Sequence, residues 1–406
     1  MQKEFEFFIT KVYHGVGAAR KLGDIVKKVG AKKVMVFHGP NVKAAGLVDP
    51  CLKSLEEAGV PYVVYDKVEI ESPMHSIEES AALGRSEGVD TCVAIGGGSC
   101  MDTAKVARML ITNPGTCRDY TTNIGTELYP NKGAHLICIP TTSGTGSEVT
   151  SFSVITDKQN GNIKYPLADY RLTPDVAIID PQFTRSMPKS IVADTGLDVL
   201  THAIEAYVSV MASDYTDGLA LHAIEMVFTY LEKSYNGDPL AREKMDNASC
   251  IAGMAFTNAF LGLNHSMAHM LGAECHIPHG RANAILLPYV IKYNATKPTK
   301  FASFPKYKEY VADERYAKIA RRVGLCSADT PISEAVDCLV KAIRELMTVT
   351  ERPLCIKDCG VSEAEFMSKV NELSYKAFED QCTTANPVYP LVSEIEELYK
   401  KAYYGK

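Results

Sequence analysis

Nowhere in this chain of 406 residues do about eighteen apolar residues run together, so no membrane-spanning helix is expected. No run of Lys and Arg forms a basic stripe, and the formal net charge is −6. Nucleic acid is therefore not an expected partner. The segment MQKEFEFFITKVYHG carries Lys3, Glu4 and Glu6 inside its most apolar portion, unlike the uninterrupted hydrophobic region of a secretory signal. The cysteines are scattered from Cys51 to Cys382, and the closest pair, Cys355 and Cys359, does not make a CxxC. Zinc-ribbon spacing is absent as well, so free thiols in a reducing cytoplasm are the expectation. The chain contains neither the GxGxxG fingerprint nor the Walker pattern, and no internal repeat.

The length is large for one hydrophobic core, which predicts two domains. From residue 30 to about 183, short apolar runs alternate with amphipathic stretches. KKVMVFHG (32–39), PYVVYDKV (61–68), TCVAIGGG (91–98), HLICIPTT (135–142) and DVAIIDP (175–181) read as strands buried on both faces. Helical periodicity lies between them, as in KAAGLVDPCLKSLEEAG and SIEESAALGRSEG. This predicts a Rossmann-like parallel sheet with helices on both sides over 1–183. From 184 to 406 long amphipathic patterns dominate, which predicts an all-helical domain.

Two loops follow predicted strands. In VAIGGGSCMDTAK, three glycines and Ser99 run into a helical stretch with Asp102 and Lys105. Glycines let backbone amides approach a ligand, and a helix N-terminus favours anions, so this is a seat for a pyrophosphate or simply a tight turn. In IPTTSGTGSEVT, Thr141, Thr142, Ser143, Thr145 and Ser147 offer hydroxyls around two glycines, suited to phosphate and ribose oxygens or to a solvated turn. Their joint occurrence at strand ends favours a nucleotide.

Four histidines are packed into GLNHSMAHMLGAECHIPHG, in a chain that has ten. His265 and His269 are four apart and share a helical face. His276 and His279 follow beside Pro278 and Gly280, residues that stop helices. Asp198 and His202 are also four apart, with Asp194 one turn earlier as a metal neighbour or a helix cap. Asp198, His202, His265 and His279 would give one carboxylate and three imidazoles, a set that suits Zn²⁺ or Fe²⁺. His14, His38, His75, His135 and His222 are isolated and read as structural.

GGGSCMD, PTTSGTGSEVT, GLDVLTHAIEAY and GLNHSMAHMLGAECHIPHGRANAILLP together resemble the iron-containing, or group III, alcohol dehydrogenases, with their dehydroquinate synthase-like fold. DQCTTANPVYPLVSEIEELYKKAYYG is similar to the alcohol dehydrogenase half of the bifunctional aldehyde-alcohol dehydrogenases, and the chain is expected to be that half standing alone. The resemblance implies metal ligation by Asp198, His202, His265 and His279, with Fe²⁺ favoured and Zn²⁺ the alternative. It assigns an additional active-site histidine to His269, the candidate proton relay. It assigns dinucleotide binding to Gly96, Gly97, Gly98, Ser99, Asp102, Thr141, Thr142 and Thr145, and a ribose contact to Lys164. Cys382 matches a cysteine near the substrate cleft, and Phe256, Phe260 and Leu263 are expected to line that pocket. The implied reaction is hydride transfer between NAD(H), or NADP(H), and a small aldehyde or primary alcohol, chiefly aldehyde reduction, in a cytoplasmic homodimer or higher oligomer joined through the N-terminal strand.

Two positions depart from the family pattern. NAD-specific members often end the second strand with an aspartate, and here that place holds His38 or Gly39. Arg281 stands where many relatives have an aliphatic residue. It would attract an anionic substrate or, as the expected reading, form a structural ion pair at the domain interface. A dehydroquinate-synthase-like lyase would need a basic cluster near the histidines, where only Arg281 and Lys292 occur. A glycerol-dehydrogenase-like polyol oxidoreductase typically lacks the histidine that is His202 here. An inert scaffold would have little use for a complete ligand set.

Overall fold

The structure, a computed structural model, describes residues 6–121, 129–300 and 309–406. The chain divides into two compact units, with Glu6–Met187 in one and Pro188–Lys406 in the other. The first contains strands β1 (Lys11–His14), β2 (Val34–Phe37), β3 (Tyr62–Tyr65), β4 (Thr91–Gly96), β5 (His135–Pro140), β6 (Phe152–Asp157), β7 (Ile163–Ala168) and β8 (Val176–Ile179). Its helices are α1 (Leu22–Lys28), α2 (Pro40–Ala44), α3 (Asp49–Glu57), α4 (Met74–Ser86) and α5 (Gly98–Thr112).

Six strands form a parallel sheet in the order β1-β8-β5-β4-β2-β3. Side chains alternate across the pleat, so each strand feeds two cores. Met35, Phe37, Cys92, Ala94, Leu136 and Cys138 point into one. Val34, Val36, Val93, Ile95, Ile137, Ile139, Val176 and Ile178 point into the other. That double burial explains why the strands read as continuous apolar runs. β3 departs from the expectation, because it ends the sheet and three of its four residues are half-buried. The helix expected over 43–59 is two helices, since Gly46 takes φ 72° and Pro50 opens α3. The antiparallel hairpin β6–β7 was not expected from the sequence.

The second unit contains α6 (Lys189–Val208), α7 (Asp214–Tyr235), α8 (Pro239–Ala259), α9 (Leu263–Cys275), α10 (His279–Asn294), α11 (Ala312–Arg322), α12 (Ile332–Val349), α13 (Glu363–Glu379) and α14 (Val392–Tyr404). Among its described residues there is no strand. Polar caps fix several starts: Ser213 accepts from the Thr216 N–H, Asp238 from the N–H groups of Leu240 and Ala241, and Ser362 from Glu365. α6 is buried on nearly every side because it packs against α7, α8 and α10. Pro278 and Gly280 act differently from the expectation. His276, at φ 55°, ends α9, whereas Pro278 precedes α10 and Gly280 lies inside its first turn. Among the described residues no helix is long and apolar enough to cross a membrane.

Candidate metal centre

Three helices of the second unit bring the four expected ligands together. α6 carries Asp198 and His202, α9 carries His265, and His279 is the first residue of α10. One ligand atom from each lies within 4.8 Å of all the others. Asp198 Oδ1 is 3.7 Å from His265 Nε2 and 3.6 Å from His279 Nε2, and its Oδ2 is 4.0 Å from His202 Nε2. Asp198, His202 and His265 are buried, while the His279 side chain keeps 42% of its exposure. The close approach depends on Gly280, where a Cβ would fall 2.1 Å from the Asp194 carbonyl oxygen of α6.

Buried carboxylates and amides aim these ligands. Glu205 accepts from His265 Nδ1 and, at 2.8 Å, from the Asn264 N–H. Because Nδ1–H donates a hydrogen bond to Glu205 and Nε2 accepts from Asn283, the Nε2 lone pair of His265 is left on the side of Asp198. Burial, reinforced by His279 and His269, pushes the His265 pKa well down, so the ring is neutral. Burial also raises the Asp198 carboxyl, against the pull of His202 and Asn283, and lifts Glu205 to about 8. A carboxyl group and imidazole nitrogens converge where burial penalises charge, a penalty that a bound cation would offset, and the Asn283 amide donates among them. Such an excess of lone pairs fits a divalent cation.

The remaining expected residues fall into separate places. His269 Nδ1 is 2.9 Å from Asp380 Oδ2, and the Cys382 N–H donates to Asp380 Oδ1 at 2.8 Å, so His269, Asp380 and Cys382 form a second cluster. Burial alone would raise the Asp380 carboxyl, but His269 and the hydrogen bonds outweigh it and hold the group at about 2. Burial opposes the His269 imidazolium, and Asp380 overrides it, leaving that pKa raised. The His269 ring also stacks on His279 at 5.5 Å. Phe256 stacks on His202 at 4.5 Å. Phe260 ends α8 with φ 64° and ψ −178°, a region nearly reserved for glycine, and Leu263 is fully buried at the start of α9. Arg281 does form an ion pair, with Asp194 at 3.0 Å, but both partners belong to the helical unit. Asp194 is neither a cap nor part of the ligand group, because α6 begins at Lys189 and Arg352 shares the same carboxylate. The sequence reading missed Glu205, Asn283 and Asp380.

In the α/β unit the two expected loops touch. Gly96 ends β4, Gly97 precedes α5, and the Gly96 carbonyl accepts from the Thr141 N–H at 3.0 Å. A Cβ on Gly98 would fall 3.0 Å from Thr145 Cγ2, and one on Gly97 would fall 3.3 Å from Thr142 Oγ1. The Asp102 carboxylate is engaged internally, accepting from Ser147 Oγ and the Val154 N–H, each at 3.0 Å. Buried Lys105 ties the hydroxyl loop from beneath, donating to Ser147 Oγ at 2.8 Å and Thr150 Oγ1 at 3.1 Å. Lys164, on β7, pairs with Glu71 at 2.8 Å, and the Glu71 N–H donates to Ser99 Oγ at 3.1 Å. His38, at the end of β2, is buried with Nδ1 3.1 Å from the Gly39 carbonyl oxygen.

The parallel α/β unit has a glycine turn at a strand end, and the helical unit gathers a carboxylate and three imidazoles that could hold a divalent cation. Residues 10–181 match the family described as iron-containing alcohol dehydrogenase, and residues 192–403 match the Fe-containing alcohol dehydrogenase family, C-terminal. The chain belongs to the iron-containing alcohol dehydrogenase family. It is 50% identical over 382 residues to aldehyde-alcohol dehydrogenase 2 of Entamoeba histolytica, covering 92% of this chain and 44% of that protein. The chain thus spans about half the length of several curated relatives it matches. A relative of similar length is the NADPH-dependent butanol dehydrogenase of Clostridium saccharobutylicum, 42% identical over 394 residues that cover 97% of this chain and 96% of that one. The solved iron-containing alcohol dehydrogenase of Thermococcus thioreducens superposes with a TM-score of 0.87 at 34% identity, covering 99% of this chain and 100% of that one.

Proposed function

We propose that this chain interconverts small aldehydes and primary alcohols with NAD(H), working chiefly as an aldehyde reductase around one divalent cation, Fe²⁺ in preference to Zn²⁺. The observation that carries the reading is the convergence of Asp198, His202, His265 and His279 within 4.8 Å. When bound, the cation supplies Lewis acidity toward the substrate oxygen and the nicotinamide supplies or accepts the hydride. Glu205 keeps His265 Nε2 in its ligating tautomer. His269 holds a proton at Nδ1 against Asp380, which leaves Nε2 as the ring atom that passes a proton to or from the reacting oxygen. Phe256 walls one side of His202 and excludes water there. The glycine turn and the threonine loop are the proposed dinucleotide seat, with half-buried Thr141, Thr142 and Thr145 on it. NADP(H) is admitted too, since the end of β2 presents His38 and Gly39 where a carboxylate would repel a 2′-phosphate. A cytoplasmic homodimer or higher oligomer is proposed, supported by the position of β1 at the edge of the sheet.

The test is anaerobic purification, metal analysis, and an aldehyde panel with NADH and NADPH in parallel. One cation per chain and aldehyde-dependent NAD(P)H oxidation are expected. His265→Ala should lose both the cation and turnover, and full activity in a metal-free His265→Ala protein would refute the ligand assignment.

A further inference from the structure

Asn283 is fully buried at the metal centre, yet it is not one of the ligands. Its Nδ2 lies 2.7 Å from Asp198 Oδ1, 3.1 Å from His265 Nε2 and 3.2 Å from His279 Nε2. A side-chain amide has two ends of opposite use here. The carbonyl oxygen can ligate a dication, whereas the –NH₂ group can only donate hydrogen bonds. Which end faces the ligands therefore sets how many protein donors the cation meets.

The orientation is fixed by a neighbour. Asn264, also fully buried, places its Nδ2 3.1 Å from the Asn283 backbone carbonyl oxygen and 3.0 Å from Asn283 Oδ1. A backbone carbonyl only accepts, so Asn264 must present its –NH₂ there. The adjacent Asn283 atom must then be the acceptor, Oδ1, and the nitrogen end is turned toward the ligands. Asn264 is itself anchored, because its backbone N–H donates to Glu205 Oε1 at 2.8 Å and Glu205 also engages His265. Register supplies the rest: Asn283 stands one helical turn after His279 on α10, and Asn264 immediately precedes His265 on α9.

We propose that Asn283, locked by Asn264, is a positioning and specificity-determining residue of the metal centre: it denies the cation a fifth protein donor and confines Asp198 to one ligating oxygen. The inference rests on the reading that the four ligands hold a dication. Four protein donors leave a coordination position for the substrate oxygen, and a fifth would compete for it. The N–H bond to Asp198 Oδ1 also partly neutralises that oxygen, as a neighbouring amide does for ligating carboxylates elsewhere.

Co²⁺ is the probe, because its visible absorption weakens as coordination number rises, independently of turnover. Asn283→Asp replaces the –NH₂ with a ligating oxygen. Its Co²⁺ absorption is expected to weaken, and Co²⁺ release to a chelator to slow by about tenfold or more. Asn283→Ala adds no donor of its own but frees Asp198 Oδ1, so its Co²⁺ absorption should weaken less than that of Asn283→Asp, and without the positioning amide it should bind Co²⁺ about 10–100-fold more weakly. Asn264→Ala lets the amide turn over, so its absorption should shift in the direction of Asn283→Asp, and it serves where an Asn283 variant does not fold by circular dichroism. Co²⁺ absorption and release unchanged in Asn283→Asp, or unchanged in Asn264→Ala, overturn the proposal. Failure of the unaltered protein to take up one Co²⁺ per chain overturns the metal reading instead.

Discussion

Glu205 shows what a metal-binding imidazole needs beyond its lone pair. Without an acceptor at Nδ1, His265 would be free to protonate Nε2 and present the wrong tautomer. Glu205→Gln keeps one acceptor oxygen where Glu205 offers two, so either His265 Nδ1 or the Asn264 N–H loses its partner and cation affinity should fall about 10–100-fold, measured by competition with a chromogenic chelator. The Asp380–His269 pair makes a prediction about pH. Asp380 has a depressed pKa of about 2, so its contribution is present above the unfolded value near pH 4 and lost as pH falls through 2. His269 has a raised pKa, so its contribution is present below the unfolded value of about 6.5 and lost as pH rises through its folded pKa. The gap in urea stability between the unaltered protein and Asp380→Asn should be widest from about pH 4 to 6.5, at about 2–3 kcal/mol, and narrow on both sides. A gap that is flat with pH would mean that Asp380 acts by packing alone. The convergence of the four proposed ligands was legible because Asp198 and His202 share a helical face and the other histidines crowd one segment. Asn283 lies four positions after His279 and was open to the same argument, whereas Asp380 is distant in sequence and nothing in its local pattern marks it.

Whole elements are aligned by side chains that are missing. At Gly280 a methyl group would strike the Asp194 carbonyl oxygen of α6, and backbone atoms cannot swing aside as a flexible side chain can. Gly280→Ala should therefore cost about 1–3 kcal/mol of stability and, by moving α10 off α6, weaken cation binding through His279 and Asn283 together. Calorimetry and a metal titration on the same sample check it, and unchanged metal affinity would show that α10 can shift without disturbing the ligands. The central strands were readable because both of their faces are buried, which removes the polar alternation. The β6–β7 hairpin was not, since Lys164 and Pro166 interrupt the apolar run of β7. Its loop, residues 158–162, nevertheless carried a signal: Gly161 and Asn162 both take positive φ, at 74° and 61°, a conformation that glycine and asparagine adopt most readily. The α2–α3 break was hidden for a related reason, since helical periodicity continues across Gly46 while the backbone does not.

For the molecule as a whole, the proposed ligands come from three helices, so a cation held by them would couple to folding. The unfolded chain does not hold Asp198, His202, His265 and His279 together, so a cation that binds them stabilises only the folded helical unit. At about a hundred times the dissociation constant the gain is about 2.7 kcal/mol, which for a unit of roughly 200 residues shifts the melting temperature by about 5–11 °C. A dinucleotide seated on the glycine turn should stabilise the α/β unit by the same relation, with no need for His265. Differential scanning fluorimetry of the apo protein, with Zn²⁺ or anaerobic Fe²⁺ and separately with NADH or NADPH, resolves the two effects. His265→Ala should abolish the metal-induced shift and keep the nucleotide-induced one. Equal metal-induced shifts in the unaltered and His265→Ala proteins would place the cation somewhere other than these four side chains.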